Sequence, residues 1–530
     1  MKEKITPSKY QQAIFRWVRN WVGVLSADAV TSQKRHLRVR GVAGCGKTST
    51  IILLADIIPP SERAVFLAFN KSIAAKLKRK LPRHMRASTT HSLGWRVCLG
   101  TDIRKAGEPT KLKTSQLLDE MQASFPQRQV FPQVRKMVAA AKSIGLVPTG
   151  VPGAVGLVPD TREVWQEQII DKFTLEFSDD QQQDMALDLA RHVLRQSINR
   201  CHEIVDFDDM LYMPMVMQMP FPKFKWVIVD EAQDINAVQK EIVKRIIARD
   251  GHVIAVGDEK QAIYGFRGAD AEAMSNIKRD LNADDLPLSI CYRCAKAIVR
   301  EAQSLCPEIE AAPDAPEGTI SHGLPAGVKL AEYFTPDVSV LCPYNAPLVK
   351  FAFRLIREKI AVRVLGKKEI GAPIAKTLQK LGAATVGEAI ERLSDYYAEK
   401  RAKINPNDED KLQALQDRYD TLMVFLDEAP SNDTVDSVIA RIEALFADRP
   451  DDEDDEETPW ILTLSTIHKA KGLEWDKVVL LDTDGLYSTT RKGKPIPEWE
   501  IKQKMNLMYV GMTRAAVDLV YLSSEQLERI

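Results

Sequence analysis

From residue 37 the chain alternates short apolar runs with amphipathic stretches. Leu37-Arg-Val-Arg40 and Ala64-Val-Phe-Leu-Ala-Phe69 have the length and residue types of strands. The segments after them, Thr48–Ala55 and Lys71–Lys80, read as helices. Over residues 96–210 the alternation gives way to helical sequence, broken by a Gly/Pro-rich stretch at Val147–Pro159. Strands resume at Trp226-Val-Ile-Val229 and His252-Val-Ile-Ala-Val256. A second alternating unit begins near Leu286, with strands expected at Val338–Leu341 and Val362–Leu365. Helical, charge-rich sequence interrupts it from about 371 to 450, and it resumes with Leu462–Leu464 and Lys477–Leu481. Continuous apolar strands alternating with helices predict parallel sheets covered on both faces. The expected fold is therefore α/β, with two parallel-sheet cores, each interrupted by a mainly helical insertion. The first core takes residues 1–95 and 211–285 around an insertion at 96–210; the second takes 286–370 and 458–530 around a short insertion and acidic linker at 371–457.

Composition narrows the class. At 530 residues there is ample material for several cores, and 73 Lys plus Arg balance 73 Asp plus Glu. No global basic charge advertises a nucleic-acid partner, so any such binding needs a local groove. Seven scattered cysteines point to a reducing, cytoplasmic setting rather than a disulfide framework. No signal peptide is evident and no apolar run approaches the roughly 18 residues of a membrane span, so neither secretion nor membrane insertion is expected. Cys291-Tyr-Arg-Cys294, without a second pair at zinc spacing, reads as two buried thiols. The seven acids from Asp451 to Glu457 read as a solvated linker.

Chemistry enters with two separated segments. Gly41-Val-Ala-Gly44-Cys45-Gly46-Lys47-Thr48 fits the phosphate-loop pattern between a strand and a helix. Its glycines permit a tight turn that aims backbone N–H groups at phosphate, and the helix N-terminus adds favourable partial charge. Lys47 then reaches the β- and γ-phosphates, and the Thr48 hydroxyl reaches Mg²⁺. Val227-Ile-Val-Asp230-Glu231 supplies a magnesium-directed carboxylate and an acid able to activate water, at the carboxyl end of an apolar strand, where parallel sheets place ligands. Nucleoside-triphosphate hydrolysis is the expectation from the residues alone.

Further segments follow in order: Asn70-Lys71, Thr89-Thr90-His91-Ser92, Asp206-Phe-Asp-Asp209, Gly257-Asp258-Glu-Lys-Gln261-Ala-Ile-Tyr264-Gly-Phe266-Arg267, Tyr292-Arg293, Ser465-Thr466-Ile-His468 through Glu474, and Tyr509-Val-Gly-Met-Thr513-Arg514. The series resembles the UvrD/Rep/PcrA branch of superfamily 1 helicases from Thr6 to about Leu522. The Phe-Asn-Lys and Phe-Asp-Asp-Met-Leu forms are most similar to F-box DNA helicases and their bacterial or phage relatives, although no F-box precedes the motor. The resemblance implies two RecA-like cores, ATP as fuel and Mg²⁺ as cofactor.

It also implies roles. Thr48 and Asp230 hold the metal, Glu231 takes a proton from the attacking water, and Gln261 senses the γ-phosphate. Arg293 and Arg514 act as arginine fingers, a device worth about 10³–10⁵ in rate. Gly44, Cys45, Gly46, Lys47, Thr48 and Ser49 cradle the nucleotide; Tyr292 stacks on adenine, Gln11 reads its edge and Glu474 binds the ribose. Ser49 stands where related chains often carry an arginine. Asn70, Lys71, Thr90, His91, Tyr264, Phe266, Arg267, Thr466 and His468 are implied to contact DNA, with Tyr264 and Phe266 as stacking faces worth roughly 1–3 kcal/mol per base.

The expected activity is ATP-driven 3′→5′ stepping on single-stranded DNA, with duplex unwinding or displacement of bound proteins. Expected partners are single-stranded DNA and single-strand/duplex junctions, alongside a partner nuclease, single-strand-binding or recombination protein; a monomer suffices. The second insertion is short for this branch, so processive unwinding is expected to need a partner. With the chain ending 16 residues after Arg514, no downstream nuclease domain is expected. The alternative is an ATP-switched DNA-binding remodelling subunit.

Overall fold

A computed structural model describes residues 6–23, 34–68, 70–121, 123–173, 175, 177–263, 272–358, 360, 362–365, 371–402, 404, 409–445, 462–491, 494–496 and 498–529. The chain divides into two compact units, Met1–Ser289 and Ile290–Ile530.

The first unit is built on six strands: β1 (Leu37–Gly41), β2 (Ala64–Ala68), β3 (Met85–Thr89), β4 (Phe224–Val229), β5 (Ile247–Gly257) and β6 (Asp284–Leu288). Their spatial order is β3-β2-β4-β5-β1-β6, and every pairing is parallel. All five residues of β2 are buried, as a continuous apolar run in a doubly covered sheet requires. Helices α1 (Lys9–Trp21), α2 (Lys47–Ala55), α3 (Lys71–Lys80) and α4 (Thr90–Cys98) belong to this unit. Two strands differ from the sequence reading. The segment Met85–Thr89 is a strand although it is not an apolar run. Asp284–Leu288 pairs with β1 from Leu37 to Gly41, so the first sheet runs past residue 285. Both depend on pairing with strands remote in sequence, which local pattern does not report.

The segment between β3 and β4 contributes α5 (Lys113–Asp119), α6 (Phe131–Ile144), α7 (Asp180–Asn199) and α8 (Asp209–Val216). One hydrophobic cluster runs from the sheet (Val65, Leu67, Val227) through these helices (Val134, Val138, Val193, Leu194). At the centre lies an ion cluster. Lys113 Nζ donates to Asp209 at 2.6 Å and to the Ser197 carbonyl at 2.8 Å, while Lys142 Nζ meets Asp206 at 2.6 Å and Asp209 at 2.9 Å. Both lysines are fully buried. Such charges are tolerable only because each is paired. α4 and α8 approach closely at Gly94, where an added Cβ would stand 2.0 Å from the Met210 carbonyl oxygen.

The second unit repeats the plan. Its strands are β7 (Thr319–His322), β8 (Val338–Cys342), β9 (Val362–Val364), β10 (Leu462–Thr466), β11 (Trp475–Leu481) and β12 (Ala515–Leu522). They form a parallel sheet in the order β9-β10-β8-β11-β12-β7. Four helices, Ala372–Leu381, Val386–Ala402, Glu409–Asp427 and Val435–Leu445, share one core with this sheet. The chain thus holds two RecA-like parallel sheets. Among the described residues no helix is long and apolar enough to cross a membrane.

Candidate nucleotide site and nucleic-acid interface

Because every strand of the first sheet is parallel, all carboxyl ends lie along one edge, and the predicted segments of this unit fall there. β1 runs into the phosphate loop. Gly44 and Gly46 take φ of 65° and 74°, the left-handed region that glycine enters without strain, and Gly46 caps α2. Gly41 answers a packing demand: a Cβ there would sit 2.9 Å from the Lys47 side chain. Cys45 is buried, while Thr48 and Ser49 are exposed on the first turn of α2. Gln11 reaches this loop indirectly. Its amide donates to Thr50 Oγ1 at 2.9 Å, and that hydroxyl donates to the Gly46 carbonyl at 2.9 Å. Thr50 had no assigned role in the sequence, and only the fold shows that it joins α1 to the loop.

Burial opposes charge on Lys47, yet Glu231, the Cys45 sulfur, Asp258 and Asp230 outweigh it and raise the pKa, so Lys47 stays an ammonium. Its Nζ donates to the Val42 carbonyl at 3.4 Å. Asp230 ends β4 and is 4% exposed; burial, then its neighbour Glu231, pushes its carboxyl up to about 7. Burial likewise raises Asp258. Two buried carboxyls and the half-buried Glu231 around one ammonium leave the set short of positive charge. Its donors are oxygens, the set a hard cation such as Mg²⁺ accepts alongside phosphate oxygens.

Glu231 has φ of 48°, uncommon for a residue with a side chain and typical of functional turns. Its carboxylate accepts from the Gln233 amide at 2.6 Å. The Gln233 carbonyl oxygen accepts from the Asp258 backbone N–H at 3.0 Å, and Gln261 donates to the Asp258 carboxylate at 2.6 Å. A chain of contacts through Gln233 and Asp258 therefore links Glu231, the expected acid, to Gln261, the expected γ-phosphate sensor. Gln233 is its buried midpoint, and Gly257 leaves room for it, since a Cβ there would stand 2.5 Å from the Gln233 oxygen. The sequence reading gave Gln233 no role. Gly257, 24 positions on, is the other half of the signal.

At the ends of β2 and β3 stand Asn70 with Lys71, and Thr90 with His91. Asn70 caps α3, its Oδ1 accepting from Ile73 N at 2.8 Å, and Lys71 is exposed. Thr90 is buried; His91 has its pKa lowered by burial and then by the Lys71 charge. Phe207, between two buried aspartates, is 42% exposed, an aromatic face that the sequence reading did not single out. Tyr264, Phe266 and Arg267 lie outside the described residues.

In the second unit the predicted residues divide between the two sheet edges. Thr466 and His468 follow β10 at a carboxyl end, Thr466 buried and His468 half-buried. Ser465 Oγ donates to the Thr466 carbonyl at 3.0 Å, just as Ser88 Oγ donates to that of Thr89 at 3.1 Å. Ser88-Thr-Thr-His91 and Ser465-Thr-Ile-His468 are thus the same strand-end device, once per sheet. Glu474 and Arg514 precede β11 and β12, at amino ends. Arg293 Nε pairs with Glu474 and its Nη1 donates to the Thr513 carbonyl at 3.1 Å. Tyr292, half-exposed, precedes it. Arg514 is fully buried, donating to the carbonyls of Val510 at 3.1 Å and Leu473 at 3.0 Å. Cys291 and Cys294 are buried on either side of Tyr292 and Arg293, with Cys294 N–H donating to Cys291 Sγ at 3.4 Å.

Comparison with known proteins agrees with this assembly. Residues 25–282 match the UvrD/REP helicase N-terminal domain and residues 166–526 the UvrD-like helicase C-terminal domain. The chain is 23% identical over 509 residues to F-box DNA helicase protein 1 of Schizosaccharomyces pombe, covering 91% of this chain and 55% of that protein. It is 33% identical over 110 residues to DNA helicase II of Haemophilus influenzae, covering 19% and 15% of the two chains. It is also 33% identical over 113 residues to the ATP-dependent DNA helicase PcrA of Staphylococcus aureus, covering 20% and 16%. The chain spans about half the length of the first of these relatives and less of the others. With one family model matched over well more than half of its residues, the chain belongs to the UvrD/PcrA-type family of superfamily 1 helicases.

Proposed function

We propose that the protein is an ATP-driven motor that steps 3′→5′ on single-stranded DNA and unwinds duplex or displaces bound proteins. The observation that carries this reading is the relay from Glu231 through Gln233 and Asp258 to Gln261, beside the phosphate loop. A γ-phosphate that engages Gln261 changes the hydrogen bonding of the acid that prepares water, so phosphate sensing and hydrolysis are one event. Lys47 and the loop N–H groups bind the triphosphate, and Glu231 accepts the water proton. Thr48 and Asp230 hold Mg²⁺, which neutralises the phosphate charge when bound. Arg293 and Arg514 serve as the arginine fingers; Arg514 must first leave its carbonyl partners, which makes its engagement a conformational step. Asn70, Lys71, Thr90, His91, Thr466 and His468 grip the strand, and the polarity rests on the family resemblance.

The test is ATP hydrolysis by the purified protein with and without single-stranded DNA, beside Lys47→Ala and Glu231→Gln. DNA-stimulated turnover, lost in both variants, with strand displacement on 3′-tailed but not 5′-tailed duplex, is the expected result. Hydrolysis indifferent to DNA would overturn the motor. Tight nucleotide-dependent DNA binding with negligible turnover would identify an ATP-switched remodelling subunit instead.

A further inference from the structure

The chain is neutral overall, yet its charge is unevenly placed. From Arg63 to Thr101 there are nine Lys and Arg residues and no Asp or Glu, where the average of the chain would put about five acids. Most of this charge lies on α3 and the turn after it. Leu77 is the buried face of the helix. At 3.6 residues per turn Arg79 lies opposite Leu77, with Lys71 and Lys78 on one shoulder and Lys76 on the other. All four, with Lys80 and Arg83, are exposed. Among the described residues no carboxylate pairs with Lys78, Arg79, Lys80 or Arg83.

Helix-dipole compensation accounts for only part of this. One or two cations in the last turn supply its roughly 0.3–1 kcal/mol each. It gives no reason for Lys71, Lys76 or Arg83, or for the absence of acids over the whole stretch. Several exposed cations elsewhere in the chain are neutralised locally: Arg300 pairs with Glu317, Lys329 with Glu332 and Lys350 with Glu528. The α3 surface is a cationic strip, and its first residues are the Asn70-Lys71 segment already assigned to nucleic acid.

We propose that the exposed cations of α3 and its following turn bind the phosphate backbone of nucleic acid, extending the contact made at Asn70 and Lys71. The inference rests on the DNA-motor reading and deepens it by naming where the substrate continues. From Lys71 to Arg79 the helix advances about 12 Å. At about 3.4 Å per nucleotide of a stacked strand, that is room for roughly three phosphates. Contacts to phosphate carry no sequence information, which suits a surface that a strand slides along.

The experiment is the salt dependence of DNA binding by the full chain, using a fluorescent single strand and the same strand as the tail of a duplex. Each phosphate neutralised contributes about 0.7 to the log–log slope on single strands. The triple variant Lys78→Gln, Arg79→Gln, Lys80→Gln, which keeps Lys71 and Lys76, is expected to lower that slope by about 1. Arg300→Gln, Lys329→Gln, Lys350→Gln, the same charge change at locally paired sites, is expected to leave it unaltered. Lys78→Arg with Lys80→Arg keeps the wild-type slope, and melting curves show that the variants fold. An equal loss on both probes puts the contact on the single strand; a loss on the tailed duplex alone puts it on the flanking duplex. DNA binding with an unchanged slope in the Gln triple would overturn the α3 strip and leave the motor standing. Absence of DNA binding by the wild-type chain would instead remove the reading beneath it.

Discussion

Gln233 carries no charge and lies two residues beyond Glu231, yet its amide joins the two segments expected to hold the acid and the γ-phosphate sensor. It donates to Glu231 and accepts from the Asp258 backbone, and it is 2% exposed. Replacing it with methionine keeps the volume and removes both hydrogen bonds, leaving the half-buried Glu231 carboxylate and the buried Asp258 N–H without that partner. Such losses are worth about 1–3 kcal/mol. Gln233→Met is accordingly expected to lower kcat for ATP by roughly 10- to 100-fold. The KM for ATP changes little, because the phosphate loop is untouched. Steady-state turnover at saturating DNA checks this; a raised KM with normal kcat would show that Gln233 supports binding rather than the reacting acid.

Between elements, the decisive contacts join segments that are far apart in sequence. Lys113 and Lys142, from α5 and α6, end on the Asp206–Asp209 turn that starts α8. Lys142→Met leaves Asp206 without its lysine and Asp209 with Lys113 alone, and is expected to cost about 3–5 kcal/mol, the cost of breaking a buried pair from one side. Urea denaturation measures it. Gly94→Ala forces α4 away from α8 and is expected to cost at least about 1–3 kcal/mol as overpacking. These pairs also mark what was legible beforehand. The phosphate loop, the Asp230-Glu231 strand end and the alternating strands declare themselves locally, through spacing and apolar runs. The ion cluster does not, because nothing near Lys113 in sequence distinguishes it from a surface lysine. Nor does β3, whose Met-Arg-Ala-Ser-Thr sequence becomes a strand by pairing with β2. The burial of Arg514 was equally invisible, since a Thr-x-Arg run does not say which carbonyls its guanidinium will find.

For the molecule as a whole, the acid limit of stability has an identifiable contributor. His252 is 2% exposed, stacked on Trp226 at 4.4 Å and against Trp21 at 4.7 Å, with Nδ1 donating to the Arg35 carbonyl at 2.9 Å. Burial, chiefly, lowers its pKa to about 4 from 6.5. Between those values the unfolded chain takes up a proton that the folded chain refuses, so this contribution is complete above about pH 6.5 and is lost as pH falls toward 4. The unfolding free energy of the first unit, from urea denaturation, is expected to drop across that window, by no more than about 1.4 kcal/mol per pH unit for this one group. His252→Phe should flatten the slope; an unchanged slope would assign the acid sensitivity to the carboxylates. A different consequence follows from the position of β6. The strand that bears the phosphate loop has β5 on one side and β6 on the other, and β6 ends at Leu288. Trp17 of α1 also closes onto this strand, through Asp284 at 2.8 Å. At about 5–20 residues per second a ribosome needs roughly 12–50 s to travel from the loop to that final strand. For most of the interval neither neighbour exists, since β5 (Ile247–Gly257) is made only about 200 residues after the loop, so the nascent chain carries its phosphate loop on an unflanked strand, and protection during synthesis has to come from whatever shields that strand.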